Sequence, residues 1–405
     1  MRRPRRVVGL LALLTAFTFV AAACGDDSGS SSSATSGGGA ATSAGGAATT
    51  ASGGAATTAA GGEAAAACGG TKDKSATDVT IKSRTLTQAS GVNNKVGLMY
   101  DVTGRGDLSF NDSAGAGLDQ AKKDFGIAAT ESTPTGDADR ADRLNLLASA
   151  GNGLIIGVGF LWGDAITAGA KANPNIDFGI IDSVVDAPNA VSMTFAEEQG
   201  SFLVGAAAAM KSKTGHIGFI GGVDEALIHK FEAGYTAGAK QVNPDITVDV
   251  KYISPDGDFT GFNDPAKGKE IAAAMYEGGA DIIYAAAGGS GLGMFQAAKD
   301  YSDSNNTHVC GIGVDSDQIL TVGADLEPYV MTSMLKRVDV AVYNTIGDYL
   351  EGKAKVGTQT VFDLKSDGVA YSTTGGNLDD IKSQLDDLKQ QIVDGTITVP
   401  TTPGG

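Results

Sequence analysis

Short apolar runs in this chain are repeatedly followed by a residue able to bind a polar solute. Asp101 comes directly after Lys95–Tyr100, and Phe110-Asn111 opens the helical stretch beyond it. Asp182 ends the run Phe178–Ile181, Asp315 follows Ile312-Gly313-Val314, and Lys336 comes just after Val330–Met334. The bare loop Gly288-Gly289-Ser290-Gly291 succeeds the run that stops at Ala286. A carboxylate can accept two hydrogen bonds from a vicinal diol, and an ammonium donates to hydroxyl and ring oxygens, which suits a sugar or a ribose. An aromatic at the mouth suits a planar base or the flat face of a sugar ring. No arginine cluster accompanies these groups, and three acidic side chains would repel phosphate, so a neutral polar ligand is favoured over a nucleotide. Any one of these aspartates could equally be a helix cap. Their coincidence after strand-like runs is the signal.

Catalytic chemistry finds little support. His216, His229 and His308 are too scattered for a metal cluster, and HExxH, CxxC and GxSxG do not occur. Gly268-Lys269 resembles the end of a phosphate loop, but Glu270 stands where Ser or Thr is required. Arg105-Gly106-Asp107 spells an adhesion tripeptide and is read as loop chemistry. No catalytic residue, metal or cofactor is expected. The formal charge of −17 disfavours nucleic acid and a polybasic grip on anionic lipid.

The elements that must position these groups alternate in type. Strand-like runs recur at Leu154–Phe160, Val191–Phe195, His216–Ile220, Val248–Ile253, Ile282–Ala286 and Val309–Val314, besides those named above. Amphipathic stretches separate them, among them Phe110–Phe125, Glu198–Lys211, Leu227–Gln241, Pro265–Glu277 and Arg337–Leu350. Near-continuous apolar strands alternating with helices predict an α/β protein of parallel sheets covered on both faces. About ten strands are more naturally two doubly wound sheets than one, with a crossing near Lys211–Gly215. Two lobes enclose a cleft, and ligands of open α/β sheets sit beyond the C-terminal strand ends.

Ahead of this region, Met1–Arg6 is basic, Val7–Val20 is apolar, and Ala21-Ala22-Ala23 precede Cys24. The pattern resembles a bacterial lipoprotein signal with lipidation at Cys24, the other reading being an uncleaved anchor. Residues 25–94 read as a disordered Gly/Ala/Ser/Thr tether with an r.m.s. span of about 45 Å. Cys68 in the tether and Cys310 in a buried strand have such different contexts that both are expected as free thiols.

The motifs together resemble the basic membrane protein family of lipoproteins. They are Asp101 with Asp107–Asn111, Phe178–Asp182, Phe195–Gly205 (FAEEQGSFLVG), Phe262–Lys269, Ala287–Gly291, Gly313–Asp315 and Met334–Asp339, in order over roughly Lys95–Ser372. The resemblance implies a two-lobed type I periplasmic-binding-protein fold with a doubly wound parallel sheet in each lobe. It implies an extracytoplasmic, lipid-anchored receptor that captures a nucleoside, with purines preferred, and delivers it to the membrane permease of an ABC importer. It further implies that Phe110 and Phe262 sandwich the base and Asp182 binds its polar edge. Asp101, Asn111, Asp315 and Lys336 would hold the ribose, and Gly289 would let backbone approach the ligand. Phe259 and Phe231 are alternatives to Phe262, although Phe231 reads as ordinary packing, and Trp162 as either cleft or core. The lobes are expected at 95–211 with 335–360 and at 212–334 with 361–395, followed by a flexible tail at 396–405. A sugar receptor, a sensory lipoprotein without transport and a nucleoside hydrolase are the rival readings.

Overall fold

The computed structural model describes residues 68–70 and 79–404; the export signal and Cys24 lie outside the described residues. Among these, twelve strands form two six-stranded sheets. The first contains β1 (Lys95–Met99), β2 (Ala128–Ser132), β3 (Leu154–Gly157), β4 (Asp177–Ile181), β5 (Ala190–Phe195) and β11 (Thr358–Phe362), ordered β11-β5-β4-β3-β1-β2 and parallel throughout. The second contains β6 (His216–Val223), β7 (Thr247–Ser254), β8 (Ile282–Ala286), β9 (Cys310–Asp315), β10 (Val330–Lys336) and β12 (Val369–Tyr371), ordered β12-β10-β9-β8-β6-β7. Only β12 runs antiparallel to its neighbour. This is the expected two-lobed α/β architecture.

Central strands such as β3, β8, β9 and β10 are buried along their whole length, as strands covered on both faces must be. The connections carry helices α1 (Phe110–Phe125), α2 (Arg140–Ser149), α3 (Gly163–Ala172), α4 (Glu197–Lys211), α5 (Ala226–Val242), α6 (Pro265–Glu277), α7 (Gly291–Asn305), α8 (Val338–Leu350) and α9 (Lys382–Val393). The first turn of α6 is set locally. In α6 the Asp264 side chain accepts from Lys267 N and Pro265 fills the first helical position.

The first crossing between lobes lies earlier than the expected Lys211–Gly215. Helix α4 packs on α5, β10 and β12 of the second lobe, so the chain changes lobe at Ala196, directly after β5. The α4–α5 contact is close because glycines line it: a Cβ on Gly205 would stand 2.0 Å from the carbonyl oxygen of Tyr235. A second crossing falls at Arg337, since α8 packs on α1, β3 and β4 of the first lobe. A third runs from the end of β11 to β12. The crossings are bonded to one another, Ala196 N donating to Phe362 O at 2.9 Å and Arg337 N to Gly368 O at 2.9 Å. They behave as one bundle of backbone.

Three expectations for the flanks fail. Cys68 and Cys310 form a disulfide with Cα atoms 6.0 Å apart, because residues 68–70 lie against the second lobe, where Gly70 N donates to the Asn377 side chain at 2.7 Å. The tether also ends before Asn94. Ile81, Leu86 and Val92 pack on the core, Arg84 pairs with Asp348 at 2.9 Å and Glu351 at 3.3 Å, and Arg337 donates to Val79 O at 3.1 Å. These few apolar and charged residues are sparse in the sequence, yet each meets a partner on the first lobe or at the crossing. The tail expected beyond residue 396 is docked as well, with Val399 buried in the core and Ile397 packed against it.

The disulfide closes a sequence separation of 242 residues. Reduction, or Cys310→Ser, is expected to lower unfolding free energy by about 2–4 kcal/mol. Denaturant titrations with and without reductant, paired with a free-thiol count, check this. Equal midpoints would show that the staple contributes nothing. A truncation beginning at Asn94 should melt below one beginning ahead of Cys68.

Candidate ligand-binding site

The C-terminal ends of the central strands of both sheets face a common cleft. Asp101, Phe110, Asn111, Asp182, Phe262, Asp315 and Lys336 all line it. Gly289 does not. Gly288 lines the cleft in its place, and Gly289 sits beside the Asp107 side chain of the opposite lobe. The loop turns one residue earlier than expected because Gly288 takes the left-handed conformation, φ +54°.

Asp101 lies two residues beyond β1 and is tied on several sides. One carboxylate oxygen accepts from Arg140 Nη2 at 3.0 Å and from Val102 N at 2.8 Å, while its backbone N–H donates to the Asn111 side-chain oxygen at 2.8 Å. Arg140 lies over the Trp162 ring at 4.9 Å, and Trp162 donates to Tyr100 O at 3.0 Å. Trp162 is therefore core beneath the loop and not a cleft residue. Burial holds the Asp101 carboxyl above its ordinary range, with Arg140 pulling against that shift.

Asp107 caps α1 from below, accepting from the backbone of Ser109, Asn111 and Asp112 at 2.8–3.1 Å. The Asn111 side chain donates to Asp107 at 2.9 Å and to Thr103 at 2.8 Å. Its amide is thus spent on shaping the loop that presents Phe110, although the residue lines the cleft.

Asp182 and Asp315, the last residues after β4 and within β9, have φ of +66° and +64°. Leu108, which reaches toward the opposite lobe, has +56°. Non-glycine residues in this region are strained, and such strain concentrates where surrounding structure forces a side chain into a site. Here it turns both carboxylates into the cleft.

Lys336 ends β10 and is 2% exposed. Its ammonium donates to Asp182 Oδ2 at 2.7 Å and stands 3.1 Å from Glu197 Oε1. Three rings surround it, Phe195 at 5.0 Å, Phe110 at 5.3 Å and Phe231 at 5.6 Å. Burial disfavours its charge, but Asp182, Glu197 and Asp315 outweigh this and hold it protonated. Burial pushes Asp182 up to about 6, Lys336 opposing and Glu197 adding to the shift. It pushes Asp315 up to about 7, against the pull of Lys336 and Ser109. Asp182 Oδ1 is buried without a hydrogen-bond partner among the described residues.

The lobes touch across the cleft. Ser109 Oγ donates to Asp315 Oδ2 at 2.5 Å, Ser316 Oγ to Ser109 O at 2.8 Å, and Gln318 Nε2 to Leu108 O at 3.1 Å. Phe160 meets Phe259 edge-on, ring centroids 5.6 Å apart. This is a closed arrangement.

Sequence reasoning missed several participants. Phe231, read as ordinary packing, lines the cleft together with Phe160, because α5 turns its first face toward the mouth. Phe259 serves the interlobe contact instead. Glu197, Ser109 and Arg140 escaped notice, although FAEEQG and the DLSFN segment contain the first two. Paired acids at a helix start read as ordinary solvated charge, and nothing local reveals that Glu197 is fully buried.

Comparisons with known proteins agree with this geometry. Residues 94–403 match the family model described as ABC transporter substrate-binding protein PnrA-like. The ABC transporter nucleoside-binding protein BmpA of Lactococcus lactis is 39% identical over 334 residues, covering 77% of this chain and 92% of that protein. Basic membrane protein D of Borreliella burgdorferi is 35% identical, covering 73% and 84%. A solved ABC transporter solute-binding protein from Aeropyrum pernix superposes with a TM-score of 0.67 at 29% identity, covering 76% of this chain and 94% of that one. With its two parallel sheets, its strand-end cleft and this match over most of its length, the chain belongs to the PnrA-like family of ABC transporter substrate-binding proteins.

Proposed function

We propose that the protein captures a nucleoside between its lobes and hands it to the membrane permease of an ABC importer, held at the outer face of the cell membrane by a lipid on Cys24. The observation that carries the ligand class is the pairing, in one cleft, of Phe110, Phe231 and Phe262 with Asp101, Asp182, Asp315 and Lys336. The rings offer flat apolar faces to a base, and the carboxylates accept hydrogen bonds from sugar hydroxyls and from base N–H groups. Asp182 Oδ1 is suited to a base edge, a partner that a plain sugar lacks. The larger face of a purine favours it over a pyrimidine. The nucleoside-binding name of the Lactococcus relative supports the same class. The work of the protein is capture and release, with no catalytic group required. Delivery follows from family membership, and the lipid from the export pattern; among the described residues no helix is long and apolar enough to cross a membrane.

A calorimetric panel of nucleosides, free bases, nucleotides and sugars decides the class. Nucleosides should bind tightest, and tight sugar binding with no response to nucleosides would replace this reading with a sugar receptor. Phe110→Tyr should keep nucleoside affinity while Phe110→Leu loses about 1–3 kcal/mol, with little change in the melt of the unliganded protein. A Leu variant that binds normally removes Phe110 from base recognition.

Affinity should depend on pH through the raised carboxyls. Asp182 and Asp315 must be ionised to accept from the ligand, so affinity should fall as pH drops through about 7 and then about 6. Binding near neutrality should release protons, seen as different titration heats in buffers of different ionisation enthalpy. Unliganded stability moves oppositely. Both groups sit above the ordinary value of 3.8, so their contribution to stability is full below that value and is lost as pH rises through the folded values of about 6 and 7. Melts and titrations moving together would contradict the assignment. Cys24→Ala should leave the protein in the soluble fraction; continued membrane partition would indicate an uncleaved anchor.

A further inference from the structure

Glu197 is the first residue of α4, directly after the crossing residue Ala196, and is 0% exposed. It does not line the ligand cleft. Its Oε2 takes the Lys230 ammonium and its Oε1 faces Lys336 Nζ at 3.1 Å. Lys336 is the last residue of β10, directly before the crossing residue Arg337. One carboxylate thus ties two of the crossings together and stands behind the ammonium that meets Asp182. Lys230 strengthens the tie by donating to Phe195 O at 2.6 Å, the carbonyl just ahead of the first crossing.

We infer that Glu197 is a positioning residue for the ligand site, a counter-ion that shares Lys336 from behind so that the Asp182 carboxylate is free to accept from the ligand. This rests on the nucleoside reading for its probe, not for its geometry. With Glu197 present, a fully buried ammonium is balanced by two carboxylates, and Asp182 need commit only Oδ2 to it. Without Glu197, Asp182 alone must neutralise the lysine, and a buried charge with a single partner holds that partner tightly. The other charged groups around the pair are Glu198 on α4, Lys230 on α5, Glu225 capping α5, Asp315 on β9 and Asp107 ahead of α1. Among them Glu197 and Lys230 act on Asp182 in opposite senses, Glu197 raising its carboxyl and Lys230 lowering it.

That opposition supplies the test. Adenosine and guanosine affinities are measured from pH 5 to pH 8.5 for the wild type, Glu197→Gln, Glu197→Asp and Lys230→Gln. Glu197→Gln is expected to bind roughly tenfold more weakly at the alkaline end, because Asp182 closes on Lys336. Its lower pH limb should move acid by about half a unit or more, since a unit of pKa corresponds to a tenfold change in differential interaction. Lys230→Gln should move the same limb alkaline, and Glu197→Asp should leave it near the wild-type position. A merely structural loosening has no reason to give opposite signs in the two variants. If wild type binds nucleosides while both limbs stay put, or both move the same way, the role of Glu197 is refuted and the ligand reading stands. Melting temperature against pH for the unliganded variants carries the same sign test, so failure of the nucleoside probe in wild type would sink the ligand reading while the pairing is still judged.

Discussion

A lysine ammonium sealed from water is the constraint around which the two lobes are arranged. Lys336 cannot remain charged at 2% exposure unless carboxylates follow it inside, and losing either partner throws the whole balance of the buried charge onto the other. Asp182 comes from the first lobe, Glu197 from the helix that begins the second, and Lys336 from the strand that leaves it. The ion cluster therefore joins the lobes at the point where the backbone crosses between them. The left-handed backbone at Asp182 is strain that this pairing and the strand ladder hold in place.

Parallel topology does the rest of the positioning. All central strands of a sheet end on one edge, so residues distant in sequence meet there with no dedicated scaffold. Crossings at Ala196 and Arg337 bring the two such edges face to face, and Ser109, at the start of α1, reaches over to bond Asp315. The same aspartate is then bonded to the opposite lobe through one oxygen while it lines the cleft. The interlobe bond and a cleft-lining carboxyl thus sit on one side chain.

How much of this could be read beforehand follows from burial. β8, α1 and α6 stand out in sequence because their apolar residues are continuous or helically spaced and their ends carry Gly, Pro or Asp. β2 (AATES) and β11 (TQTVF) do not, being largely solvent-facing edge strands whose pairing comes from neighbours they meet only after folding. Site residues at strand ends were legible for the same reason as the strands. Glu197 was not, since a helix-start acid and a buried counter-ion look alike until Lys336, far along the chain, arrives beside it. The pairing of Cys68 with Cys310 was hidden likewise, its two halves lying in segments of unlike composition. The crossing before α4 was misread because α4 is apolar nearly all round and shows no preferred lobe.

The cleft contains two cations in or against its wall, yet neither is available to an anion. Lys336 is balanced by Asp182 and Glu197, and Arg140 by Asp101 at 3.0 Å and Asp137 at 3.2 Å. A phosphate entering would find Asp101, Asp107, Asp182 and Asp315 facing it and no uncommitted positive charge among the residues lining the cavity. A neutral solute meets the opposite situation. Its hydroxyls and N–H groups can satisfy carboxylate oxygens already desolvated by burial, so the cost of dehydrating those oxygens has been met in folding and need not be met again on binding. The same internal pairing that keeps Lys336 stable thereby leaves the cleft wall without an uncommitted cation, and this charge balance is what the proposed preference for an uncharged polar ligand rests on.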